Sequence, residues 1–184
     1  IMVRFYTEFM QPADYGTADL IIQTANLLLP LISLGITDAV FRFVMDHEQE
    51  RKNIFTVGVW VITAGSLMFF AIVPLLRLSS TIGGYWVLIV VFTMASCYHS
   101  LCAQFVRARG NTLLYAGQGL LNTVIVVGLN IWFLAFLNLG ILGYVLSVAV
   151  ADVSCTLFLI IKEKLWRELT KRPQKSTFVQ LLKY

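Results

Sequence analysis

GNTLLYAGQGLLNTVIVVGLNIWFLAFLNLGILGYVLSVAVA, residues Gly110 to Ala151, contains no Asp, Glu, Lys, Arg or His. As one helix rising about 1.5 Å per residue, this run would be near 60 Å long, twice the ~30 Å hydrocarbon core of a bilayer. The chain must therefore reverse once inside it. Asn138-Leu139-Gly140 is the place, because Asn and Gly tolerate the left-handed backbone that ends a helix. The run reads as two membrane spans, 113–137 and 140–161, joined by a very short loop.

The same reading extends outward. Charged residues and His are also missing from Ile54 to Leu76 and from Leu78 to Tyr98. Spans are expected at 18–45, 54–76 and 85–106, after the tail of a first helix at 1–10. Barrel strands would alternate apolar and polar residues, and these runs are apolar on every face. Of the 184 residues, 58% are hydrophobic and 13% charged, against roughly 25% charged in soluble domains. The expected fold class is an all-α integral membrane protein, a bundle of about five complete transmembrane helices plus the end of a first one. About ten residues precede Pro12, with no signal peptide among them, and 176–184 read as the start of another helix. Both ends suggest a fragment.

Positive charge marks one set of loops. Arg51, Lys52, Arg107, Arg109, Lys162, Lys164, Arg167, Lys171, Arg172 and Lys175 fall in alternate connections, whereas the other set, near 12–16, 77–84 and 138–140, holds only Arg77. Short cytoplasmic loops retain Lys and Arg, so the first set is expected inside the cell. The net charge of +4 then reflects topology and not nucleic-acid binding, for which no soluble basic face exists. Residues 163–175 read as a basic linker, an amphipathic helix over Lys162 to Lys175 with Leu165, Trp166 and Leu169 on its apolar side.

Chemical motifs are sparse. His47-Glu48 begins like a zinc-protease helix, but Arg51 stands where the second His should fall. Gly117 and Gly119 lack the third glycine of a dinucleotide loop and read as helix-packing glycines. Cys97, Cys102 and Cys155 are odd in number and lie inside spans, which suits apolar filling and neither a disulfide framework nor a metal site. His99 stands alone on an apolar helix, where a hydrogen-bonded structural role outweighs catalysis. No enzyme constellation, metal site or cofactor motif is present.

Ionisable groups at membrane depth are the leading site candidates, because exposing them to lipid costs a few kcal/mol. They are Arg4, Asp38, Arg42 and Asp152. Asp38 and Arg42, spaced four apart with the acid first, could form a structural ion pair, and Asp152 reads as a packing and hydrogen-bonding residue. Pro30 and Gly35 should bend the second span, and bent helices often line transporter cavities. Gln23, Asn26, Ser33 and Thr37 add hydrogen-bonding groups there. Such a lining suits sugar hydroxyls, and helix-to-helix hydrogen bonding would explain it equally.

Five segments together resemble the polysaccharide and O-antigen flippases of the multidrug/oligosaccharidyl-lipid/polysaccharide exporter superfamily. They are PADYG (Pro12 to Gly16), LGITDAVFRF (Leu34 to Phe43), RARGN (Arg107 to Asn111), LGILGY (Leu139 to Tyr144) and LLKY (Leu181 to Tyr184). The resemblance implies one six-helix lobe of a two-lobe transporter in a bacterial or archaeal cytoplasmic membrane. It implies a lipid-linked oligosaccharide on an undecaprenyl-phosphate carrier as cargo, flipped by alternating access for polysaccharide biosynthesis, with the bilayer, a glycan polymerase and glycosyltransferases as partners. Arg4 and Arg42 fall on helices that line the family's cavity, which makes them candidates for the pyrophosphate. The planar guanidinium suits such bidentate contacts. A drug/cation antiporter of the same superfamily is the alternative, and a membrane-embedded glycan-processing enzyme a more distant one.

Overall fold

The structure, a computed structural model, describes residues 6, 9–71, 73–78, 83–170, 177–178 and 181. Among them the regular structure is helical throughout, with no strand. The main helices are α1 (Pro12–Ser33), α2 (Ile36–Asp46), α3 (Arg51–Phe69), α4 (Trp86–Ala108), α5 (Thr112–Ile131) and α6 (Gly140–Glu163). Helices α3 to α6 are long and apolar enough to cross a membrane, and α1 with α2 makes a fifth if the bent pair is one span.

Helix α4 is the axis of the bundle and touches all five others. Ile89, Phe92, Cys97, Leu101, Phe105 and Val106 along it are buried, and α1 brings Ile21, Ala25, Leu28 and Ile32 into the same core at intervals of three and four residues. Small residues set the close approaches. A Cβ on Gly58 of α3 would meet Leu101 and Val40 at 2.9 and 3.0 Å, and one on Gly143 of α6 would meet Phe133 at 2.9 Å. Gly117 and Gly119 do not play the packing role expected of them, since nothing lies within 4 Å of a Cβ at either. Gly117 is exposed and Gly119 partly so.

Helix α5 inverts the pattern of a water-soluble helix. Its buried residues are Gln118 and Asn130, while Leu113, Leu120, Val124 and Ile131 are exposed. Lipid accepts the apolar side chains at no cost and leaves the polar ones to find partners inside the bundle. The arrangement is consistent with a multi-pass membrane protein.

Connections refine the expected spans. After Ile131 one π-helical turn, Trp132–Phe136, ends with Leu137 N donating to Trp132 O at 3.2 Å. Leu139 N then donates to Phe133 O at 3.0 Å, and the chain reverses through left-handed Asn138 and Gly140. The span expected at 54–76 instead starts at Arg51 and stops at Phe69, followed by a short helical piece, Val73–Leu76. Pro74 explains the stop, because it lacks the N–H that would bond the Phe70 carbonyl and its ring crowds that group.

The amphipathic helix expected over Lys162 to Lys175 is not formed in its described part. Helix α6 runs on to Glu163, Lys164 turns left-handed (φ 52°), and a single 3-10 turn, Leu165–Arg167, follows. Leu165 is buried in the main core, and the Thr170 N–H donates to Thr56 Oγ1 of α3 at 2.9 Å. Core burial and a backbone bond to α3 outweigh the helical pattern of the charges. Residues 171–176 lie outside the described residues.

Candidate functional site

Two polar features interrupt the apolar bundle. The first is the break between α1 and α2. Leu34 (φ 50°) and Gly35 (φ 69°) are both left-handed, and the helix axes differ by 51°. Pro30 lies one turn before the break and has no N–H, so it offers nothing to the Asn26 carbonyl four residues back. A cleft of about 360 Å³ opens here. Asn26, Leu29, Pro30, Ser33, Gly35, Thr37 and Asp38 line one side, and Cys97 and Ser100 of α4 the other.

The cleft thus gathers Asn26, Pro30, Ser33, Gly35, Thr37 and Asp38, six of the residues singled out on this span, but not Gln23 or Arg42. Gln23 is exposed on α1 outside its lining. Arg42 is exposed one turn beyond Asp38 and reaches forward to Asp46, with Nε 4.0 Å from the carboxylate. The structure thus pairs Arg42 with Asp46 in place of Asp38. Asp38 sits in the first turn of α2, where the helix dipole favours a carboxylate. Arg4 lies outside the described residues.

The second feature is a buried polar cluster where α4, α5 and α6 meet. Asp152 of α6 accepts from Ser96 of α4 at Oδ2 and from Asn122 of α5 at Oδ1, 2.9 Å away. His99 Nδ1 is 3.3 Å from the same Oδ1, and its Nε2 is 2.7 Å from Gln118 Oε1. Cys155, one turn along α6, gives its S–H to the Gln118 carbonyl at 3.7 Å. His99 follows Trp86 by 13 residues and Asp152 follows Gly140 by 12, which puts both roughly 18–20 Å along helices that start at the same end. Both therefore sit near mid-bundle.

Sequence reasoning kept His99 and Asp152 apart, each as a lone polar residue. Their matching depth in spans otherwise free of charge was the available signal. Their contact required the rotation of three helices about their axes.

The two ends of the bundle differ in chemistry. At the basic end Arg109 lies 3.3 Å from Glu163 and 3.8 Å from Glu168, and Asn111 Nδ2 donates to Glu163 at 2.8 Å. At the other end Tyr6 stacks on Tyr15 and meets Tyr144 edge-on, with centroids 5.6 and 4.8 Å apart. Arg77 covers the Trp86 ring at 4.2 Å. Among the described residues no group of three or more His, Cys, Asp or Glu is placed to hold a metal ion. Comparison with family models, curated proteins and solved structures finds no match.

Proposed function

We propose that this chain is a membrane-embedded lobe of a transporter that flips a lipid-linked oligosaccharide across a bacterial or archaeal cytoplasmic membrane by alternating access. The observation that carries the reading is the broken helix. It joins a hinge at Leu34-Gly35 to a cleft lined by amide, hydroxyl and carboxylate groups, as expected where a moving helix lines a polar pathway. Asn26, Ser33, Thr37 and Ser100 suit sugar hydroxyls. The exposed Arg42 on the same broken span suits the phosphate of the carrier, with a guanidinium fork that can bind two oxygens at once.

Asp38 in the cleft favours a second reading, an antiporter for organic cations, which a carboxylate would bind. Two variants of the full-length protein separate the readings in cells lacking their own flippase. For the oligosaccharide, Arg42→Lys lowers glycan transport at equal membrane abundance and Asp38→Asn is tolerated. For the cation, Asp38→Asn abolishes efflux and Arg42→Lys does not. Undiminished glycan transport by Arg42→Lys removes the phosphate role.

A further inference from the structure

Two cavities of opposite chemistry share the segment that follows α6. A basic pocket of about 370 Å³ lies at the end of the bundle, lined by Arg51 and Lys52 of α3, Arg109 after α4, and Glu168 and Thr170. An apolar cleft of about 390 Å³ lies between Phe55 and Val59 of α3, Ile160 of α6, and Leu165, Trp166 and Leu169. Arg51, Phe55 and Val59 are spaced four apart, on one face of α3. The cations thus stand one helical turn outward of the apolar lining. The segment divides in the same way, with Glu168 and Thr170 on the pocket and Leu165, Trp166 and Leu169 on the cleft. The Thr170 N–H bond to Thr56 pins it to α3.

The cleft suits hydrocarbon. The hydroxyls that border it are committed, Thr156 donating to Asp152 O at 2.7 Å and Tyr98 bonding Thr63 at 2.9 Å, so they leave little for water or a sugar. Counted from the ends of α3, α4 and α6, its lining runs from roughly 5 to 15 Å deep at about 1.5 Å per residue. That is the reach of one leaflet in a ~30 Å core. Trp166, half exposed at its edge, carries the kind of ring that settles at headgroup level. The pocket suits an anion, and the nearby carboxylates do not cancel its charge. Glu163 and Glu168 both meet Arg109 at Nη1, 3.3 and 3.8 Å away, and Glu50 accepts from Thr177. Nε and Nη2 complete a guanidinium fork suited to phosphate oxygens. Lys52 is exposed, as are Lys162, Lys164 and Arg167 at the same end.

We propose that the basic end of the bundle holds an anionic phospholipid of the adjoining leaflet, its phosphate on Arg51, Lys52 and Arg109 and one acyl chain in the apolar cleft. Basic pockets between membrane helices take such headgroups. A soluble phosphate would use the pocket alone, and a neutral lipid the cleft alone. The two placed one helical turn apart fit a molecule that is anionic at one end and hydrocarbon at the other. Filling the space beside Trp166 and Leu169, the lipid holds residues 165–170 against α3 and α6. The cleft at the broken helix is lined by other residues, so this site does not depend on the cargo.

Brominated lipids read the site through Trp166 once Trp60→Phe, Trp86→Phe and Trp132→Phe remove the other indoles. In phosphatidylcholine nanodiscs, a small fraction of phosphatidylglycerol brominated on its acyl chain is expected to quench Trp166 severalfold more than the same fraction of brominated phosphatidylcholine. Equal quenching by both, or none by either, overturns the proposal. Excess inorganic phosphate, set against chloride at equal ionic strength, is expected to leave the difference intact. If phosphate erases it, the pocket serves a free anion and the lipid site is refuted. These two arms need no variant at the site. Lys52→Gln is expected to shrink the difference, and Val59→Phe, which fills the cleft and keeps every charge, to bring the anionic lipid down toward the neutral one. Quenching unmoved by Val59→Phe means that phosphatidylglycerol only gathers around a cationic surface, and quenching unmoved by Lys52→Gln takes the phosphate out of this pocket. Either result refutes the site.

Discussion

Gly65 of α3 packs directly on the main chain of Ile32 in α1: a methyl group on Gly65 would stand 2.0 Å from the Ile32 carbonyl oxygen. The neighbour is backbone just before the hinge, so it cannot rotate away as a side chain could. Gly65→Ala should therefore destabilise the bundle by about 1–3 kcal/mol, the usual cost of overpacking. Gly117→Ala meets open space and should be neutral or stabilising by up to about 1 kcal/mol, as helix propensity dictates. Thermal unfolding of the two variants in one detergent compares them, and equal melting temperatures would show that α1 and α3 do not approach this closely.

Orientation can be tested against a quiet background, because the three native cysteines are all buried. Asp14 and Lys52 are both exposed and sit at opposite ends of the bundle. With the basic end inside the cell, Asp14→Cys should react in intact cells with a membrane-impermeant maleimide and Lys52→Cys only after lysis. The opposite pattern would invert the topology.

Thr56 joins the segment after α6 to the start of α3. Its hydroxyl donates to Lys52 O at 2.7 Å and accepts from the Thr170 N–H at 2.9 Å. Valine has the same shape and neither bond, so Thr56→Val should cost about 1 kcal/mol and loosen residues 165–170. A red shift and greater quenching of Trp166, half exposed on this segment, would report the loss. Unaltered Trp166 emission would mean that the Thr56 bond does not hold the segment.

At the hinge, Gly35 has a left-handed backbone and empty space around its α-carbon, so substitution there tests conformation free of packing. Gly35→Ala should cost about 1–2 kcal/mol, the penalty of a side chain in that conformation. Leu34→Gly removes strain of the same kind (φ 50°) and gains flexibility in the unfolded chain, leaving a net effect near zero. Circular-dichroism melts of both variants check the pair, and a fully tolerated Gly35→Ala would mean that α1 and α2 join without a left-handed link.

The α5 tethers give a further measurement. Asn122→Leu and Gln118→Leu each remove one inward hydrogen bond from α5. Each should cost about 0.6 kcal/mol, rising to about 1.7 kcal/mol in the strongest membrane cases. A double-mutant cycle should give non-additive losses, because both act on the same His99–Asp152 pair. Additive losses would mean that the two amides are energetically independent.

Helix identity and number follow from local sequence. Runs free of charge and long enough to span a bilayer can satisfy their backbone only as helices, and Asn138 with Gly140 supplies the left-handed turn that separates α5 from α6. The loop charges, the proline and the glycine at the hinge were equally plain, because each acts through its own backbone or its own solvation. The stop at Phe69 was less so, since Pro74 lies inside an apolar run with no polar residue to mark a loop.

Rotation of each helix about its axis was decided only in the folded bundle. A span apolar on every face has no amphipathic stripe to say which side turns inward, so Asn122 gave no sign that it faces Asp152, nor His99 that it stands between Gln118 and Asp152. Close approaches at Gly58, Gly65 and Gly143, together with the need of each buried polar group for a partner, choose among the rotations that the sequence leaves equivalent. The same competition folded Leu165 into the core. Local chemistry determined where this chain is helical and where it turns, and packing between helices determined which side chains meet.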